Sequence, residues 1–350
     1  MTLVATALTV AVLAFAVWHG PGLWLALRPQ PSVKTANAGS VEVFDITVVV
    51  ADAFSPTQRA YPVRAFVSRG WRRNSAAGSL PVVFYMPGWG GRPLDSGTLL
   101  QAIANDGYLV LAVADVAHDA PEPGESSAVR LARQAPLDLS DARGVDQLMR
   151  AADLKADLAA RKISRLIDTL GSAQSGAGTE LLMLADVNRI AAIGFSFGGS
   201  AAAAALVGDR RVAAAVNLDG WSFGSTAGQA VDKPLLTFKS TNSMPPVEYG
   251  AARRNTWVIE RISLAREQAQ AAMPQSRSIV IQGSLHGDYS DLLHGPDRWT
   301  QWRPWHLPLA DPTVVRETID RNVLGFLEKH VKAARTAERS GAAATVRDAR

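Results

Sequence analysis

Apolar residues in this chain fall into short blocks whose internal spacing changes from one block to the next. In 41–50 and again in 61–67, apolar and polar positions alternate, which predicts two antiparallel strands joined by a turn around Ser55 and Pro56. Residues 80–85 and 108–113 are apolar without alternation, the pattern of strands covered on both faces. Residues 99–105 suit a helix. A helical period takes over in 140–170, where Leu148, Ala151, Leu154, Leu158, Ile163, Leu166, Ile167 and Leu170 recur between charges. Further apolar blocks at 190–195, 212–218, 234–238 and 278–281 predict buried strands, and 313–331 predicts a closing helix. Strands that alternate with helices imply an α/β fold with a mostly parallel central sheet and helices on both faces. No internal repeat interrupts this pattern.

The block at 190–195 runs into Gly194-Phe195-Ser196-Phe197-Gly198-Gly199-Ser200 and then five alanines. An apolar strand that breaks at G-x-S-x-G and continues as a helix of small residues is the nucleophile elbow of an α/β-hydrolase fold. A serine held in so tight a turn needs small neighbours, and Gly194, Gly198 and Gly199 supply them. The chain holds 28 glycines in 350 residues, so the pentapeptide alone says little, and the strand before it and the helix after it carry the reading. The bland alternative is a serine that caps a helix.

Composition narrows the picture. With 47% hydrophobic residues the chain can bury one large core, taken as a catalytic domain over 41–332. It is preceded by a hydrophobic segment, 1–28, and a polar linker, 29–40, and followed by a charged, alanine-rich tail, 333–350, that reads as disordered. A net charge of +4 with scattered basic residues lacks the clustered basic face of a nucleic-acid binder. The absence of cysteine excludes disulfides, thiol catalysis and cysteine metal sites. The first 27 residues carry no charged side chain, and 3–18 is an almost unbroken apolar run. Residues 3–27 therefore read as a single-pass membrane anchor, which makes the protein membrane-associated. The competing reading is an export signal cleaved near Ala36-Asn37-Ala38, giving a secreted or periplasmic protein. The lack of a basic residue before the apolar run favours the anchor, while the side of the membrane stays open.

A serine nucleophile needs a base to take its proton and an acid to orient that base, and this fold supplies them in the order Ser, Asp or Glu, His. That order sets aside His19 and His118, and His330 sits within the closing helix. Of the remaining three, His286 follows the strand at 278–281 through a short loop, whereas His294 and His306 read as surface or lid residues. The acid is either Asp219, at the end of the strand 212–218, or Glu248, beyond the next strand. Backbone amides of Phe197 and Trp89 are the expected oxyanion donors, one after the nucleophile and one in the loop Pro87-Gly88-Trp89-Gly90-Gly91. No metal or organic cofactor is required. Trp299, Trp302 and Trp305 read as loop packing or as an interfacial flap.

Four segments resemble the plasma-type platelet-activating factor acetylhydrolase family and its bacterial relatives: Pro81-Val82-Val83-Phe84-Tyr85-Met86-Pro87-Gly88-Trp89-Gly90-Gly91, Arg189-Ile190-Ala191-Ala192-Ile193-Gly194-Phe195-Ser196-Phe197-Gly198-Gly199, Asn217-Leu218-Asp219-Gly220-Trp221 and Gly283-Ser284-Leu285-His286. The resemblance implies a Ser196, Asp219, His286 triad and so selects Asp219 over Glu248. It also implies hydrolysis of short-acyl or lipid-like esters. Pro87 and Phe195 replace histidines common in that family, and residues 222–275 carry no matching segment. Dienelactone hydrolases and polyester hydrolases share the scaffold, as would a catalytically silent binding protein, because fold does not dictate substrate.

Overall fold

A computed structural model describes residues 40–333, apart from 52–57, 94–95, 120–125, 135–144, 173–178, 231, 242–249, 272–273 and 292–309. Its strands are β1 (Val41–Ala51), β2 (Gln58–Ser68), β3 (Leu80–Met86), β4 (Leu109–Val113), β5 (Ala185–Phe195), β6 (Val212–Leu218), β7 (Leu235–Ser240) and β8 (Ser276–Ile281). The helices are α1 (Trp71–Asn74), α2 (Gly97–Asn105), α3 (Ser127–Gln134), α4 (Val145–Ile167), α5 (Phe197–Gly208), α6 (Gly250–Ala271) and α7 (Pro312–Leu327). The strands form one eight-stranded sheet in the order β1-β2-β4-β3-β5-β6-β7-β8. β1, β2 and β4 pair antiparallel, and every pair from β4-β3 through to β7-β8 is parallel. The expected α/β-hydrolase architecture is therefore present.

Strand periodicity divides the core into two layers. In β3, Val82, Phe84 and Met86 face one side, where α4 and α5 pack, while Val83 and Tyr85 face the other, covered by α2 and α7. β5 repeats this division, with Ile190 and Ala192 on the first side and Ala191, Ile193 and Phe195 on the second. Strands buried on both faces lose the alternation of polar and apolar residues, which explains the unbroken apolar runs in the sequence. Successive parallel strands all end at the same sheet edge, so the loops after β3, β4, β5, β6, β7 and β8 gather there. Most of the chemistry argued from sequence falls on those loops.

Several boundaries differ from the sequence reading. β5 starts at Ala185, because Asp186 and Arg189 neutralise one another at 2.8 Å and Arg189 donates to the Ser79 carbonyl, so polar residues extend the strand. α6 was not anticipated as a helix of 22 residues, since its apolar residues do not form a clean stripe. α7 starts one residue before the expected span and ends in a π turn, Glu328–Lys332. Among the described residues, no helix is long and apolar enough to cross a membrane. The hydrophobic segment 1–28, the linker up to 39, the turn at Ser55 and Pro56, the three tryptophans 299, 302 and 305, and tail residues 334–350 lie outside the described residues.

Ile163 on α4 is wholly buried in the layer beneath β3 and β5. Ile163→Ala should lower unfolding free energy by about 2–5 kcal/mol in denaturant titration, with no change in secondary structure of the folded protein.

Candidate active site

Ser196 occupies the break between β5 and α5 with φ 54 and ψ −123. A left-handed φ costs a non-glycine residue energy, so something must enforce it. Close backbone crossing does so. A Cβ at Gly194 would fall on the Gly198 carbonyl, one at Gly198 on the carbonyls of Met86 and Pro87, and one at Gly220 on the Ser196 carbonyl. The Ser196 amide also donates to the Leu218 carbonyl at 2.9 Å, tying the elbow to the end of β6. The turn thus presents the serine hydroxyl above the sheet edge, partly accessible to solvent.

Asp219 follows β6 directly, and it too has positive φ, at 57. Asn217 creates this turn: its side-chain oxygen accepts from the Gly220 amide at 2.7 Å, and its amide donates to the Gly220 carbonyl at 3.1 Å. The unanticipated α6 braces the same loop through Ser263, which accepts from the Ser222 amide at 2.7 Å, and through Glu267, which pairs with Lys239 at 2.7 Å. Lys239 in turn donates to the Gly220 carbonyl at 2.9 Å. The buried Asp219 carboxylate accepts from the Ser240 amide at 2.6 Å and from the Ser240 hydroxyl at 2.8 Å. These donors satisfy a charge that burial would otherwise disfavour.

His286 begins a short 3-10 turn after β8. The loop is fixed from below, because the Leu285 amide donates to Asp288 at 2.8 Å and Ser284 and Tyr289 share a hydrogen bond at 3.0 Å. Burial pushes the Tyr289 phenol far above its ordinary pKa, so it stays protonated as part of that frame. His286 Nδ1 lies 2.6 Å from Asp219 Oδ2, and Nε2 lies 2.9 Å from Ser196 Oγ. With the carboxylate accepting, the ring proton sits on Nδ1 and Nε2 is left to accept from the serine hydroxyl. The Phe195 ring stacks on the imidazole at 4.9 Å and 30°. Ser196, Asp219 and His286, chosen from sequence, are therefore brought together in hydrogen-bonding order.

Trp89 lies in the loop after β3, and Gly88 of that loop is close enough to Ser196 that an added Cβ would come 3.4 Å from the serine Cβ. Phe197 is the first residue of α5, so its N–H has no partner within the helix. The two side chains meet edge to face at 4.7 Å, and Phe223 and Trp221 continue the aromatic wall. Ser240, Asn217 and the stacking role of Phe195 were missed from sequence. Ser240 could have been found, since it ends β7 at the edge where Asp219 follows β6. His118, set aside by chain order, contacts the loop after β3, with Nε2 2.9 Å from the Gly90 carbonyl. Glu248, His294 and His306 lie outside the described residues.

Residues 180–348 match the family described as platelet-activating factor acetylhydrolase, isoform II. The match covers just under half the chain and includes Ser196, Asp219 and His286. Among solved structures, the chain is similar to a ferulic acid esterase from Streptomyces cinnamoneus, at 19% identity and a TM-score of 0.54, covering 87% of this chain and 93% of that one. It also aligns with a dienelactone hydrolase-like promiscuous phosphotriesterase, P91, from metagenomic libraries, at 14% identity and a TM-score of 0.47, covering 83% and 99% of the two chains. The ferulic acid esterase shares the fold of this chain, and the family match falls on the part of the chain that carries the three residues.

The elbow depends on the missing side chain at Gly194. Gly194→Ala must displace the Gly198 backbone rather than a flexible side chain, so the cost should reach or exceed the upper end of overpacking, about 3 kcal/mol. Thermal unfolding should show a drop of many degrees or loss of soluble protein.

Proposed function

We propose that this protein is a serine carboxylic-ester hydrolase acting through Ser196, His286 and Asp219. The observation that carries the reading is the unbroken relay from Ser196 Oγ to His286 Nε2 at 2.9 Å and from His286 Nδ1 to Asp219 Oδ2 at 2.6 Å. As Ser196 Oγ bonds to the ester carbonyl carbon, its proton passes to His286 Nε2, and Asp219 stabilises the imidazolium. Negative charge moves to the carbonyl oxygen, where the backbone N–H groups of Trp89 and Phe197 receive it. Collapse breaks the C–O bond, and His286 returns the proton to the departing alcohol. Water then repeats the sequence on the acyl-enzyme, releasing the acid and restoring Ser196.

The substrate is a short-acyl or lipid-like ester. The family resemblance supports this class, and the partly exposed rings of Trp89 and Trp221, backed by the buried Phe197 and Phe223, supply an apolar surface for an acyl chain. An apolar run at 3–18, within a charge-free stretch of 27 residues, supports tethering of the enzyme to a membrane, with export after cleavage as the rival.

The purified protein should hydrolyse p-nitrophenyl acetate and butyrate. Ser196→Ala should reduce kcat/KM by about 10⁴-fold or more, and Asp219→Asn by about 10⁴-fold. Wild-type turnover in Ser196→Ala would refute the mechanism. A panel graded by acyl length, with a short-acyl phospholipid, should show preference for two to four acyl carbons over about twelve. Ser240→Ala removes one of three donors to Asp219 and should lower kcat by about tenfold, as expected for a hydrogen bond to a charged group.

A further inference from the structure

The loop after β3 is held in shape by residues outside the triad. Gly91 N–H closes a turn onto the Gly88 carbonyl at 2.9 Å, and Gly90 between them has a left-handed φ of 70. Both sides of Gly90 are held from outside that turn. Its N–H donates to Asp115 Oδ2 at 2.5 Å, and its carbonyl accepts from His118 Nε2 at 2.9 Å. The Gly91 carbonyl accepts from the Asp115 amide at 3.2 Å. Asp115 itself is fixed by accepting from the Ala117 amide at 3.0 Å, in the 3-10 turn Val116–His118.

Beneath this loop lies Lys155 of α4, fully buried. Its ammonium is 3.0 Å from Asp115 Oδ2 and donates to the Arg133 carbonyl at 3.3 Å. It also lies 4.0 Å from the centre of the Trp89 ring and 5.5 Å from that of Phe197. One cation therefore touches the carboxylate that holds Gly90 and both aromatic rings of the two residues assigned as oxyanion donors. Moving an ammonium out of water costs several kcal/mol, and a methionine of similar volume would avoid that cost. A buried pair in such a place is poor evidence for stability and better evidence for a geometry that must be kept.

We propose that Asp115 and Lys155, completed by His118, are positioning residues for the oxyanion hole: they set the Trp89 loop against Phe197 and act through those residues without touching substrate. The inference rests on the hydrolase reading above. Oxyanion donors act on charge that exists only in the transition state, so loosening them lowers kcat and leaves KM in place. Full removal of one such donor costs about 10²–10³ in kcat, and a misaligned donor should cost about 10–100-fold.

The test uses the full-length protein with p-nitrophenyl acetate, a boronic acid as a tetrahedral mimic, and thermal unfolding as the check of folding. His118→Ala changes an exposed side chain and should keep the fold. His118→Gln retains a donor toward Gly90 and should recover turnover to within about threefold of wild type. Lys155→Met leaves Asp115 buried without its counterion, so the double variant Lys155→Met/Asp115→Asn, which removes both charges, accompanies it. The expected result is a kcat loss of about 3–10-fold in His118→Ala and about 10–100-fold in the double variant, with KM within twofold and boronate affinity falling in parallel with kcat. Wild-type kcat and boronate affinity in either folded variant, or a loss confined to KM, would overturn the proposal. If wild-type protein hydrolyses no ester, the hydrolase reading fails and this inference with it. Wild-type activity lost in Ser196→Ala but kept in the folded positioning variants overturns this inference alone.

Discussion

Everything at the sheet edge depends on one close crossing of backbone. Ser196 can stand at φ 54 only because Gly194, Gly198 and Gly220 carry no Cβ where strand, helix and neighbouring loop meet. The Ser196 amide and the Leu218 carbonyl continue the parallel pairing of β5 with β6 into the elbow, so that ladder sets the serine and the acid in register. Asp219, also left-handed, stands one residue beyond that carbonyl. Two strained non-glycine residues on adjacent strand ends are where stored conformational energy is expected at a functional site.

Around this centre, each reacting group is held by residues one layer further out. Ser240 satisfies Asp219, Phe195 backs the His286 ring, and the Asn217 side chain shapes the acid turn. α4 holds the opposite side with two buried rungs, Lys155 to Asp115 at 3.0 Å and Lys162 to Asp119 at 2.6 Å. The lysines are seven residues apart, two helical turns, and so share one face, while the carboxylates bracket the turn that grips the Trp89 loop. Burial raises the pKa of Asp119 and lowers that of Lys155, and the opposite charge beside each works against that change. Such pairs fix a geometry at a cost in desolvation.

Much of this was legible in the sequence because the relevant signals are local. Buried parallel strands announce themselves as unbroken apolar runs, and the elbow needs glycines at fixed offsets from Ser196. His286 and Asp219 followed from strand-end placement and, for the acid, from family resemblance. The remainder depends on contacts between distant segments. Nothing in the residues around Lys155 distinguishes it from the solvated lysines of an amphipathic helix, and its partner lies 40 positions away. α6 escaped notice because it braces a loop and covers little of the sheet, so its sequence need not carry a regular apolar stripe. His118 was dismissed by chain order, which governs the triad and says nothing about residues that hold the oxyanion loop.

Covalent capture of the nucleophile tests the central claim most directly. Wild-type protein treated with a fluorophosphonate and analysed by intact and peptide mass spectrometry should carry one phosphonyl group, on Ser196, with labelling abolished in Ser196→Ala and slowed by orders of magnitude in His286→Ala. Wild-type protein that stays unmodified, or carries the adduct on another residue, would contradict the account.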